Sequence, residues 1–142
     1  MGRGMDKTAI AGSMVILALI VGGAAGGAGA IDSSLTGAWT TSEPDCAKLF
    51  QRRGGALTYR QPVDKFAQAA IIEPQQILTP SSACHVQSAV HQNGVIKVTA
   101  DCKDSISFTT QTVEIKVKSG GEIIYSPTGD PALDTALVKC RL

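Results

Sequence analysis

The sequence has little of what most protein chemistry requires. It holds only two histidines, His85 and His91. Six residues apart on one extended strand, they would stand roughly 20 Å from each other, too far to share a metal ion. Neither Gly54-Gly55 nor Gly120-Gly121 leads through a lysine and Ser/Thr into a helix, so both pairs are turns and not phosphate loops. Asp130 and Asp134 lie in Thr-Gly-Asp-Pro-Ala-Leu-Asp, which lacks the Asp-x-Asp-x-Asp-Gly pattern of a calcium loop and suits turn and cap residues. No motif marks a serine or cysteine as a nucleophile. Charge of one sign is also missing. Setting aside Arg3, Asp6 and Lys7, eleven Lys/Arg face eleven Asp/Glu, which leaves no electrostatic footprint for nucleic acid or an anionic membrane. Arg52-Arg53, with Arg60 nearby, is the one basic grouping and reads as solvated surface. We therefore expect no enzyme, no cofactor, no metal and no nucleic-acid partner.

What is present begins with the first thirty residues. Arg3 and Lys7 precede an apolar stretch from Thr8 to Val21, and a Gly/Ala tract ends in Ala28-Gly29-Ala30. A charged start, an apolar middle and a small-x-small end fit a signal peptide. Cleavage after Ala30 divides the chain into a signal peptide, 1–30, and one domain, 31–142. The alternative is a retained helix, since Thr8 to Ala30 is long enough to cross a bilayer. Five glycines in its second half oppose that, each costing about 1 kcal/mol against alanine in a helix. No stable membrane anchor is expected after cleavage, and the domain is expected in the periplasm or outside the cell.

All four cysteines, Cys46, Cys84, Cys102 and Cys140, follow that segment. Zinc ligands usually come in close pairs such as C-x-x-C, whereas these gaps are 38, 18 and 38 residues. An even number of cysteines in an exported domain predicts two disulfides. The runs around Cys84 and Cys102 alternate apolar and polar. With a three-residue loop Gln92-Asn93-Gly94, Cys84 faces Cys102, Val86 faces Ala100, Val90 faces Ile96 and His85 faces Asp101. Val86, Ser88 and Val90 then share an inner face with Cys84. A two-residue Asn-Gly loop would misalign the cysteines by one. Cys46–Cys140 is the remaining pair.

Ser42-Glu43-Pro44-Asp45 opens a short helix with capping-box chemistry. Cys46, Leu49, Phe50 and Arg53 fall on one helical stripe, and Gly54-Gly55 stops it. Further strands are expected over 37–41, 56–60, 66–72, 77–79, 106–118, 122–126 and 137–142. A bulge near Thr109 to Thr112 would bring Ile106 and Phe108 into parity with Val113, Ile115 and Val117. Ser119-Gly120-Gly121 forms a second hairpin. The sum is an all-β fold: a small up-and-down barrel of about eight strands with one short N-terminal helix and two disulfides.

Three resemblances bear on this fold. Gly37-Ala38-Trp39 at the first strand resembles the opening Gly-x-Trp of lipocalins and related calycins. That likeness implies a barrel whose tryptophan plugs one end while the other admits an apolar ligand, with Arg141 a candidate to stack on Trp39. The order of signal segment, Gly-x-Trp, Ser-Glu-Pro-Asp-Cys-Ala-Lys-Leu-Phe, central cysteine pair and terminal cysteine resembles small exported Gram-negative proteins of unassigned function. Ser33-Ser34-Leu35 ahead of Gly37-Ala38-Trp39 is similar to bacterial inhibitors of serralysin-type metalloproteases, whose free N-terminus enters the protease.

Trp39, Leu57, Tyr59, Phe66, Ile71, Phe108, Ile115 and Tyr125 are the candidate lining of an apolar cavity. Barrels of eight strands are either filled by side chains or hollow, and small inner residues such as Ser88 and Ala100 favour filling. The function expected is a non-catalytic binding or structural module holding a small apolar ligand. The alternative is a protease inhibitor acting through Ser33-Ser34-Leu35. His85 beside Asp101 reads as an exposed cross-strand contact.

Overall fold

The computed structural model describes residues 29–142; apart from Gly29 and Ala30, the expected signal segment lies outside the described residues. No helix among the described residues is long and apolar enough to cross a membrane.

Eight antiparallel strands close into a barrel. β1 (Gly37–Thr40) pairs on one side with β4 (Ala69–Glu73) and on the other with the last strand, β10 (Thr135–Lys139). Between them β5 (Gln76–Leu78), β6 (Ala83–Gln92), β7 (Val95–Lys103), β8 (Phe108–Val117) and β9 (Glu122–Ser126) follow in sequence order, each beside its predecessor. This is the expected up-and-down barrel, with one insertion. Between β1 and β4 the chain forms a 3-10 turn over Glu43–Asp45, a single helical turn α1 (Cys46–Leu49), and a separate hairpin of β2 (Phe50–Arg53) and β3 (Ala56–Tyr59).

Two disulfides brace the fold, and both are the expected pairs. Cys84 and Cys102 face each other across β6 and β7 with both side chains buried in the barrel interior. Cys46–Cys140 ties α1 to the chain just past β10, across 94 residues. Cys46 and Cys140 belong to a second, smaller core outside the barrel. There Phe50 and the outward-facing Ala38, Ala69 and Ile71 pack beneath α1 and the hairpin, joined by Leu49, Leu57, Tyr59 and Leu78. Phe50 and Tyr59 rings lie 5.2 Å apart, and the Tyr59 hydroxyl donates to the Leu78 carbonyl at 2.9 Å.

Several local expectations give way. The helix is one turn and does not reach Arg53. Gly54 and Gly55 have φ of 60° and 83°, the left-handed pair that turns a two-residue hairpin, so they join β2 to β3 and do not end a helix. Ser42 bonds the Asp45 side chain and makes no side-chain cap to a backbone N–H.

The β6–β7 hairpin turns on two residues, not three: Asn93 (φ 52°) and Gly94 (φ 76°) link Gln92 to Val95, its partner. A bulge between Val86 and Ser88 takes up the extra residue, so Cys84 still meets Cys102. Beyond the bulge the faces swap. Ala89 turns inward, while Val90 pairs with Lys97 rather than Ile96 and is exposed.

β8 carries no bulge at 109–112; its pairing with β7 is regular from Phe108 to Lys116. Ile106 and Phe108 stay outside, 94% and 68% exposed. The strand expected from Phe66 begins at Ala69, because the Asp64 carboxylate accepts the Phe66 N–H at 3.0 Å and holds a turn there.

Candidate functional site

Alternating strands put the barrel's connections at two ends, and the ends differ. At one end the segment Ile31–Leu35 folds across the opening. The Ile31 N–H donates to the Pro74 carbonyl at 2.9 Å, and Asp32 caps a 3-10 turn over Ser33–Leu35 by accepting the Ser34 N–H at 2.8 Å. That bond and the Ser34 side chain hold the Asp32 carboxyl below the usual carboxylate range. Ile31 and Leu35 are buried against Trp39, whose indole N–H donates to the Leu35 carbonyl at 2.9 Å. Lys139 lies over the Trp39 ring, 5.7 Å from its centre, and donates to the Ser34 carbonyl at 3.0 Å. The cation on the tryptophan is therefore Lys139, not Arg141: Lys139 is the cross-strand partner of Trp39 and shares its face. Gly37 makes room for this arrangement. A Cβ on it would meet the Lys139 side chain at 3.0 Å, and its φ of 143° disfavours any other residue.

Ser33-Ser34-Leu35 is thus a stopper and not a free end. Leu35 is an isolated apolar residue that finds the nearest apolar surface, the rim of its own barrel. A protease cleft would have to pull it and Ile31 out of a core to engage it.

From this plug inward the barrel is filled. Ile72, Ile77, Ala89, Ile96, Val98, Ile115 and Ile123 occupy the interior. Toward the other end the filling stops. A half-open cavity of about 640 Å³ opens there, at the mouth. Its floor is Cys84, Val113, Tyr125 and Leu137. Its rim is four loops, contributing Lys65 and Ala67, Pro80 and Ser81, Asp104 and Ile106, and Pro127 and Leu133.

Three of these loops are built alike. Asp64 accepts the Phe66 N–H; Asp104 accepts those of Ile106 and Ser107 at 2.8 and 2.7 Å; Asp130 accepts that of Ala132 at 2.9 Å. Each aspartate turn presents an apolar side chain to solvent: Phe66 (96% exposed), Ile106 and Leu133. The Ile106 N–H, with the Ser107 hydroxyl and N–H, holds the Asp104 carboxyl below its ordinary value.

The candidate lining residues separate into three groups. Trp39, Ile115 and Tyr125 are in the barrel interior, and of these only Tyr125 reaches the cavity. Ile71, Leu57 and Tyr59 are in the outer core, because the hairpin that carries Leu57 and Tyr59 never joins the barrel wall. Phe66 and Phe108 are exposed, the first on a loop tip and the second outward on the strand end. Sequence reasoning missed Val113, Leu137 and the Cys84 side chain as cavity floor. The inward parity of Val113 was legible, but where the filling stops depends on loop lengths and on which end is plugged.

Burial pushes the Tyr125 hydroxyl up to about 12 and Tyr59 higher still. His85 and Asp101 are register partners as expected, yet Asp101 accepts from Gln87 and Thr110, so no His–Asp pair forms. No group of three or more His, Cys, Asp or Glu suited to a metal occurs among the described residues. Two disulfides suggest an oxidising, extracytoplasmic environment.

Comparison with known proteins brings no match: no family model, curated protein or solved structure resembles the chain significantly.

Proposed function

We propose that this chain is an exported, non-catalytic binding module that holds a small apolar ligand in the mouth of its barrel, in the periplasm or outside the cell. The observation that carries this reading is the cavity of about 640 Å³, set on an otherwise filled barrel. Its size falls within the range of small-molecule sites, roughly 300 to 1,000 Å³, and its floor is largely apolar. The Gly-x-Trp resemblance to lipocalins agrees with a ligand entering opposite the tryptophan. A stopper covers the Trp39 end, while the mouth stays open to a ligand.

The test is binding of the neutral fluorophore N-phenyl-1-naphthylamine, together with mass spectrometry of material extracted from protein purified out of its native compartment. Fluorescence enhancement is expected in the wild type and should be lost in Val113→Phe, which fills the floor. Overpacking should lower stability by about 1 to 3 kcal/mol, so folding of the variant is checked by circular dichroism. No enhancement by the wild type and no extracted ligand would overturn the reading.

A further inference from the structure

Tyr125 is the most deeply buried polar side chain among the described residues that line the mouth; Gln111 and Thr135 line it half-buried. Tyr125 is 8% exposed, and its hydroxyl makes no hydrogen bond to any described residue; burial is the sole cause of its raised pKa. No buried side-chain oxygen among the described residues is both sealed off and unpartnered, so this hydroxyl keeps an opening. The opening is the cavity that Tyr125 lines. A hydroxyl inside a protein ordinarily finds a partner, since leaving a buried polar group unpaired costs about 1 to 3 kcal/mol. The other buried lining residues, Cys84, Val113 and Leu137, hold no strong acceptor, and the half-buried Gln111 and Thr135, which also line the mouth, bond Thr109 and the Leu133 carbonyl and not the Tyr125 hydroxyl.

The charges at the mouth narrow what the partner is. Among the described residues, the charged side chains that line it are Lys65 and Asp104, both exposed at the rim. A carboxylate carried to the floor would meet no cation there and would be a buried, unpaired charge. A neutral acceptor oxygen carries no such penalty. Held neutral up to about pH 12, the phenol remains a donor at any physiological pH.

We propose that the mouth takes a neutral, mainly apolar molecule bearing a hydrogen-bond acceptor oxygen, a ketone, ester or ether, and that the Tyr125 hydroxyl donates to that oxygen. This inference rests on the mouth being a binding site. Tyr125 acts as a specificity residue: the apolar floor accepts the hydrocarbon, and the hydroxyl selects the oxygen.

Three probes of equal carbon number separate the terms: valerophenone, pentylbenzene and 5-phenylpentanoate. Their affinities are measured by displacement of N-phenyl-1-naphthylamine. Wild type should bind valerophenone roughly three- to tenfold more tightly than pentylbenzene, the increment of one net hydrogen bond. It should bind 5-phenylpentanoate more weakly than the ketone. Tyr125→Phe should erase the ketone's advantage, weakening valerophenone, tightening pentylbenzene or both, and a wild-type circular dichroism spectrum shows that the variant folds. The infrared carbonyl stretch of bound valerophenone should lie lower in wild type than in Tyr125→Phe. That readout does not depend on affinity. If Tyr125→Phe fails to fold, the carbonyl stretch in wild type decides alone: a frequency equal to that in hexane overturns the proposal. Equal binding of ketone and hydrocarbon by wild type would overturn the role of Tyr125 while leaving the mouth a binding site. Tightest binding of the carboxylate would overturn the neutral class. Failure of all three probes to displace a fluorophore that does bind would overturn the proposal, whereas failure of the fluorophore itself to bind would remove the underlying reading.

Discussion

The two ends of the barrel use the same devices to opposite effect. Each has an aspartate turn that orders a loop and sets an apolar residue. At the plugged end Asp32 organises Ser33–Leu35, and Leu35 points into the core beside Ile31 and Trp39. At the mouth Asp64 and Asp104 organise their loops, and Phe66 and Ile106 point into solvent. The turn chemistry is the same; the difference is whether barrel remains to be covered. At the plugged end Trp39 supplies an apolar ceiling within reach. At the mouth the interior recedes to Tyr125 and Leu137, and the loop residues have nothing to close on. An apolar residue in a capped turn therefore signals an ordered loop, and its direction is set by what stands beneath it.

The largest effect that bears on this contrast should come from removing the plug. Deleting residues 31–35 exposes the Trp39 end and loses two buried aliphatic side chains, each contributing about 1.5 to 3 kcal/mol. A drop of roughly 3 to 6 kcal/mol is expected, read as a lower denaturant midpoint at similar slope. An unchanged midpoint would mean the segment is an idle tail.

A smaller effect should appear at high pH. Both tyrosines have folded-state pKa values raised above 10, Tyr125 to about 12, because burial disfavours the phenolate. The unfolded chain releases these protons first. Stability is therefore full below pH 10 and falls as pH rises from there through 12. Spectrophotometric titration should find no phenolate below pH 10 in the folded protein. A Tyr125 that ionises near 10 would show that water reaches the mouth floor.

The smallest effect belongs to the rim. Phe66→Ser and Ile106→Ser remove large apolar side chains, yet each should change stability by no more than about 0.5 kcal/mol because neither is buried. Thermal unfolding of the two variants checks this. A loss comparable to that of the plug deletion would erase the distinction between the ends.

Much of the barrel was legible in the residues. Period-two alternation around Cys84 and Cys102 placed a hairpin, and the strand count followed from regular turn signals. The cysteine pairing came out right although its derivation did not: a two-residue Asn93-Gly94 turn and a bulge beside Gln87 together do what a three-residue loop would have done. Alternation cannot distinguish these routes from the cysteines alone; the exposed Val90 and buried Ala89 do. The helical stripe Cys46-Leu49-Phe50 was misleading for a related reason. Phe50 is buried as the stripe required, but as the first residue of a strand. For the site, side-chain size misled. Phe66 and Phe108 have the size of lining residues, but position on a loop tip or an outward face decides, and both are exposed. The insertion of β2 and β3 outside the wall was not legible, since a strand's partner is a long-range fact.

The 94-residue span of Cys46–Cys140 also imposes an order in time. A chain that emerges N-terminus first presents Cys46 early, then Cys84 and Cys102, and Cys140 after all of them. Cys84 and Cys102 can join as soon as their hairpin is out. Cys46 has to wait as a free thiol for 94 residues, and one edge of β1 waits with it, since β10 follows every other strand of the barrel. During that wait the available wrong partner is Cys84, and a bond to it is undone only by thiol–disulfide exchange. Shutting the barrel and completing its oxidation are thus a single closing event that waits on β10 and Cys140.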